Sequence, residues 1–257
     1  IGKLPESDSL THQSPEGEAP ATPEAEREPS VRTLVKTRDD LEHLAKRMRA
    51  TGEYAVDVET TSTDPMTAEL VGIAIAVSPT EGYYIPVGHA GWANVTGDDV
   101  REIIGPILSD PALPGYTHHG KYDLQVLQRN GFDIGNIAFD TMVAAYLLGE
   151  NSLRLKDLAF TRLGIQMTEI EELIGSGRNQ LSMNMVSAEE AAEYASGDVE
   201  ATFSLVNFFR PEIEAQNQKE LLQTIELPLI PVLVRMERTG VAIDTDYLQE
   251  LSDEITA

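Results

Sequence analysis

Residues 53–88, EYAVDVETTSTDPMTAELVGIAIAVSPTEGYYIPVG, decide how the rest of the chain is read. They contain three apolar, β-branched runs, at 53–59, 70–79 and 82–88, and the last two are joined by a Pro-Thr-Glu-Gly turn. This pattern predicts neighbouring strands of a hairpin-rich sheet. In the first run Asp57 and Glu59 stand two residues apart, so both carboxylates leave the same face of a strand while Val56 and Val58 point into a core.

Upstream, VRTLV at 31–35 predicts a short strand, and Thr37 caps a helix over 39–50 with Leu41, Leu44 and Met48 at helical spacing. Downstream, a helix is expected around 98–108, a short strand at 114–119, and a helix over 121–131 that ends at Gly131. From Asp140 the pattern is mostly helical, interrupted by the polar stretch IGSGRNQLS at 174–182. Ser187, with Glu190 three residues later, caps a helix over 188–209. Gly197 in the middle of that helix costs roughly 1 kcal/mol relative to Ala, which calls for a reason such as close packing or ligand approach. The last stretch reads as an apolar helix, a turn at Gly240, and the start of another element that is cut short.

Residues 1–30 are rich in Pro, Glu, Ser and Ala, too polar to offset the entropy of ordering, and are expected to be a disordered acidic linker. The chain opens on Ile1 rather than Met, as expected of a piece of something longer. Its 257 residues, 41% of them hydrophobic, suffice for one packed domain with additional segments. There is no run of about 18 apolar residues and no secretory layout at the amino terminus. Cysteine is absent, which excludes disulfides and thiolate metal sites and fits a cytoplasmic setting. The formal charge of −24 argues against a module that grips duplex DNA with Lys and Arg. Part of that charge lies in the tail, and a site holding one strand end can draw its positive charge from bound metal.

Two more acidic positions join Asp57 and Glu59. Asp123, in KYD, falls in the first turn of its helix, where the dipole favours a carboxylate. Tyr194 and Asp198 are four apart and share a helix face. If these carboxylates converge, repulsion drives some to take up protons unless cations neutralise them, and two Mg²⁺ or Mn²⁺ ions about 4 Å apart would do so while activating water. Tyr194 stays protonated near neutral pH, so it would orient the attacking water by hydrogen bonding and not act as a strong base. Taken singly the motifs are commonplace. An Asp-X-Glu is usually a solvated pair, His118 and His119 fit a pocket wall or local hydrogen bonding, and Lys121 fits either a phosphate contact or simple solvation. Glu169, Glu171 and Glu172 read as a solvated face.

In combination and in order, YAVDVETT, LVGIAIAV, YYIPVGH, KYDLQVL, GFDIGNIAFDTMVAAYLL, GRNQLSM and YASGDVEAT resemble the proofreading 3′→5′ exonuclease domain of bacterial family A DNA polymerases. That domain belongs to the DEDD exonuclease superfamily. The resemblance implies an α/β, ribonuclease H-like fold, a central mixed sheet flanked by helices, with the exonuclease domain over 31–217 and a truncated, helical start of the polymerase region over 218–257. It assigns Asp57, Glu59, Asp123 and Asp198 as ligands of two divalent cations and Tyr194 as the residue that positions the water. The Tyr-X-X-X-Asp spacing implies the tyrosine branch, since Glu193 occupies the place a histidine would need. Thr60, Thr63, His118, His119, Lys121, Tyr122 and Ile170 fall at nucleic-acid-binding positions. Among these, His118 and His119 stand where a Gln-Asn pair is frequent, Thr63 where a Leu wedges, and Ile170 where a Phe stacks.

The activity implied is removal of mononucleotides from single-stranded or frayed 3′ ends of DNA, by a monomer linked to a polymerase domain of the same parent chain, with no membrane contact. Two alternatives share the pattern: a ribonuclease D-like exoribonuclease, and a structural or DNA-end-binding domain whose catalysis has weakened or been lost.

Overall fold

The computed structural model describes residues 29–256, so the linker expected at 1–30 lies almost entirely outside the described residues. Six strands form one mixed sheet in the order β1-β4-β3-β2-β5-β6. These are β1 Val31–Leu34, β2 Tyr54–Thr60, β3 Leu70–Ser78, β4 Glu81–Pro86, β5 Gly115–Thr117 and β6 Ile137–Asp140. β2, β3 and β4 are antiparallel neighbours, as the opening stretch predicts, while β1 joins β4 in parallel and β5 and β6 extend the sheet in parallel from β2.

Helix α1, Arg38–Thr51, starts at a capping box in which the Thr37 side chain accepts from Asp40 N–H and the Asp40 carboxylate accepts from the Thr37 N–H. Its Leu41, Leu44 and Met48 are buried. The helix expected over 98–108 is in fact two, α2 Gly97–Ile103 and α3 Gly105–Leu108. Pro106 lacks an N–H and cannot continue the ladder of the preceding turn. After β5 come α4 Gly120–Arg129, β6, α5 Thr141–Leu148, α6 Leu155–Leu163 and the short α7 Ile170–Ile174. β6, only four residues long, was not expected from the sequence.

Helix α8, Ala188–Ala215, is capped by Ser187 as expected but continues beyond residue 209 and through Pro211 to 28 residues in length. It lies across β2, β3 and β4. The Gly197 expectation resolves as close packing: a Cβ there would sit 3.3 Å from an Arg32 guanidinium nitrogen. That guanidinium reaches from β1 to donate to the Glu200 carboxylate at 2.9 Å and the Glu193 carbonyl at 3.0 Å, pinning β1 to α8 beside Asp198. Beyond α8, α9 Lys219–Leu221 passes through a π-helical turn into α10 Leu227–Thr239, which packs on α4, and α11 Thr245–Thr256 follows. Among the described residues no helix is long and apolar enough to cross a membrane.

Candidate active site

The acidic face of β2 is built by its neighbours. In the ladder Asp57 pairs with Ala74 and Glu59 with Gly72, and Ala74 in turn pairs with Tyr84 on β4. Paired residues share a sheet face, so the two carboxylates stand beside the small Ala74 and Gly72. Gly72 is required for space, since a Cβ there would lie 2.1 Å from the Tyr84 hydroxyl, which fills the position and bonds His89 at 2.8 Å. Val56 and Val58 are buried on the opposite face.

Helix α8 closes over this face and brings Asp198 to the pair. Carboxylate oxygens of Asp57, Glu59 and Asp198 all lie within 4.8 Å of one another. Glu59 and Asp198 are buried, at 8% and 9% exposure, and Asp57 keeps a partial opening to solvent. Asp123, 2% exposed in the first turn of α4, is hydrogen-bonded to Asp57, while its Oδ2 is buried with no partner.

Burial dominates the protonation of the cluster. It pushes Asp57 up to about 6 and, with the Asp57 charge, Asp198 up to about 8. Glu59 and Asp123 also rise well above the carboxylate range, first through burial and then through neighbouring acids. A site of oxygen donors alone, with mutual repulsion and an orphaned buried oxygen, fits a hard divalent cation. Sequence reasoning placed Asp123 with the other three. The geometry sets it at the edge, bonded to Asp57 and outside the tight three-carboxylate group.

Tyr194 stands one turn before Asp198 on α8, half-buried and hydrogen-bonded to it. Burial and the charges of Asp198, Glu59 and Asp57 raise its phenol far above its usual value, so it remains a neutral hydroxyl. Lys156, from the first turn of α6, donates to the Tyr194 oxygen at 2.9 Å and to the Thr168 carbonyl. This placement was not visible in the sequence, where Lys156 is one Lys in LRLKDLAF with no motif around it. Asp140 was also missed. It caps α5 through Val143 N–H at 2.9 Å and accepts from Thr117 Oγ1 at 2.8 Å and Gly120 N–H at 2.6 Å, tying the start of α4, and so Asp123, to β5 and β6. An Asp-Thr pair at the end of an apolar run is the cap signal that could have found it.

The residues expected to bind nucleic acid divide. Thr60, Tyr122 and His119 form a contiguous edge: Thr60 Oγ1 and the Tyr122 hydroxyl are 2.5 Å apart, and the His119 and Tyr122 rings stack at 6.1 Å. Thr63 is exposed in the loop after β2. Lys121 is paired with Glu237 of α10 at 2.5 Å. His118 bonds Thr141 Oγ1 at 2.7 Å, and burial pushes its imidazole down to about 4, so it is neutral. Ile170 opens α7 and packs against the core.

A family model described as 3′-5′ exonuclease matches residues 33–214. The chain is 40% identical over 235 residues to the DNA polymerase I of Chloroflexus aurantiacus, across 90% of this chain and 25% of that protein. It is 32% identical over 224 residues to the DNA polymerase I of Pseudomonas aeruginosa, across 82% of this chain and 24% of that one. It therefore spans about a quarter of the length of these relatives. Among solved structures, the POL domain of Pol1 from M. smegmatis, in complex with DNA primer-template and dNTP, superposes with a TM-score of 0.70 at 22% identity, over 88% of this chain and 35% of that one. Escherichia coli RNase D, an exoribonuclease, superposes with a TM-score of 0.60 at 19% identity, over 86% and 54% respectively. These likenesses carry the ribonuclease H-like fold expected from the sequence.

Proposed function

Because the chain belongs to the 3′-5′ exonuclease family, matched over residues 33–214, we propose that it removes nucleoside monophosphates from single-stranded or frayed 3′ ends of DNA. In this reading it is the proofreading part of a DNA polymerase I, with residues 31–217 as the exonuclease domain and 218–257 leading into the polymerase domain of the same parent chain. The observation that carries the reading is the convergence of Asp57, Glu59 and Asp198 under the Tyr194 hydroxyl.

Asp57, Glu59, Asp123 and Asp198 would hold two divalent cations, Mg²⁺ or Mn²⁺. Such ions, when bound, make water acidic enough to attack near neutral pH and neutralise charge on the leaving oxygen. The protein's own contribution is placement. The ladder of β2 with β3 fixes the spacing of Asp57 and Glu59, and α8 sets Asp198 and Tyr194 one turn apart above them. Tyr194, held neutral, orients the attacking oxygen by hydrogen bonding. Thr60, Tyr122 and His119 form the edge along which the terminal nucleotide is gripped, with Thr63, Lys121, His118 and Ile170 around it.

The likeness to RNase D supports a second reading, an exoribonuclease. Incubating end-labelled single-stranded DNA and RNA of one sequence with the protein and Mg²⁺ or Mn²⁺ decides between them. Stepwise shortening of DNA from its 3′ end, lost in Asp57→Ala, is expected. Preferential shortening of RNA would favour the second reading, and no metal-dependent shortening of either would sink both.

A further inference from the structure

Lys156 sits where its charge is least comfortable for a helix. It lies in the first turn of α6, where the macrodipole disfavours a cation, and it is half-buried. It is nevertheless fixed by two acceptors from separate segments: the Thr168 carbonyl in the loop before α7 and the Tyr194 hydroxyl on α8, the latter at 2.9 Å. The ammonium also lies 4.2 Å from the centre of the Tyr194 ring, over its face.

An ammonium is a donor only, so the Tyr194 oxygen accepts this bond and its own proton has to point elsewhere. Its other hydrogen-bond partner is Asp198. We propose that Lys156 is a positioning residue of the hydrolytic reaction, which fixes the polarity of Tyr194 by occupying a lone pair of the phenol oxygen and committing its proton to the carboxylate side. Its one proton then points into the space between Tyr194 and the acids, and an attacking oxygen that enters there would take the place of Asp198 as the acceptor of that hydrogen bond. Because α6 and the loop before α7 are both joined to Lys156, the aim of Tyr194 also depends on elements that carry none of the acids. This inference rests on the exonuclease reading.

The test uses the whole chain with Lys156→Met, Lys156→Arg, Tyr194→Phe and the Lys156→Met, Tyr194→Phe double variant. In single-turnover digestion of labelled DNA, Lys156→Met is expected to lower the cleavage rate roughly tenfold or more while KM stays within about twofold, and Lys156→Arg to recover most of the rate. In the Tyr194→Phe background the Lys156→Met change should cost less than about twofold, since its target is gone. Additive losses, or a full rate in Lys156→Met, would overturn the proposal.

A second readout needs no activity. The Raman doublet of a tyrosine reports whether its hydroxyl donates or accepts, and the Tyr194 signal is isolated as wild type minus Tyr194→Phe in metal-free protein. It should change from donor-and-acceptor to donor-only in Lys156→Met and return in Lys156→Arg. An unchanged doublet would refute the hydrogen-bond assignment. A wild type that cleaves no 3′ end, yet shows the expected doublet, would locate the failure in the functional reading and not in the Lys156 geometry.

Discussion

The acidic floor of the site and its rim are held in opposite ways. Asp57 and Glu59 are laddered to β3, Asp198 lies within a 28-residue helix, and Asp123 is anchored through Asp140 to two further strands. The rim is made of ends and loops: Thr63 is exposed, Lys121 is shared with an exposed Glu237, and Ile170 opens a five-residue helix. The difference separates two tasks. In the function proposed above, hydrolysis would need oxygens held at fixed spacing, whereas gripping a terminal nucleotide would tolerate adjustable contacts.

The sharpest attempt to break this contrast is Asp198→Asn. It removes a charge but little volume, and is expected to lower DNA cleavage by about a thousandfold or more while the fold survives, read by end-labelled gel kinetics and circular dichroism. A loss below about tenfold would mean that the floor is not the reactive part.

Gly72→Ala tests the floor through packing alone. Its added Cβ would meet the Tyr84 hydroxyl at 2.1 Å, and an expected stability loss of about 1–3 kcal/mol should appear in urea unfolding. Neutral behaviour would show that the floor is softer than described.

Protonation provides a third probe. Folded carboxyls at about 6 (Asp57) and about 8 (Asp198) lie above their unfolded values, so the folded state binds more protons in this window. Their contribution to stability is complete below about pH 4 and is lost as pH rises through 6 and then 8. Metal-free protein should therefore lose several degrees of Tm from pH 5 to 8.5, with the slope reduced by Mn²⁺ and in Asp198→Asn. Calorimetry in buffers of different ionisation enthalpy should also show proton release as Mn²⁺ binds.

The smallest effect belongs to the rim. Glu237→Gln releases Lys121, and KM for single-stranded DNA is expected to fall about two- to fivefold with kcat unchanged, the gain shrinking with added salt. A change in kcat instead would show that rim and floor are coupled.

Much of the floor was legible because its signals are local. The β-branched runs of β2 to β4, the Thr37 and Ser187 caps and the four-residue spacing of Tyr194 and Asp198 all act within a few residues. Convergence of the acids was not legible from spacing. It came from the order of motifs that resembles a known family. Lys156 escaped notice because its partners, Thr168 and Tyr194, lie 12 and 38 positions away in the chain, and only packing brings them together. β6 escaped because four residues leading directly into a helix show too little alternation to register as a strand.

His119 shows how the two proposed tasks would be kept apart along one stretch of backbone. It is the residue before α4, at φ 73°, and its side chain makes no capping bond; the helix start is secured by Asp140 from another strand. The left-handed conformation admits Asn and His more readily than most residues. Position 119 can therefore exchange one polar side chain for another without any change in how Asp123 is held. If position 119 touches the strand end as proposed, its side chain can be exchanged to alter the grip while the helix that carries Asp123 stays anchored by Asp140.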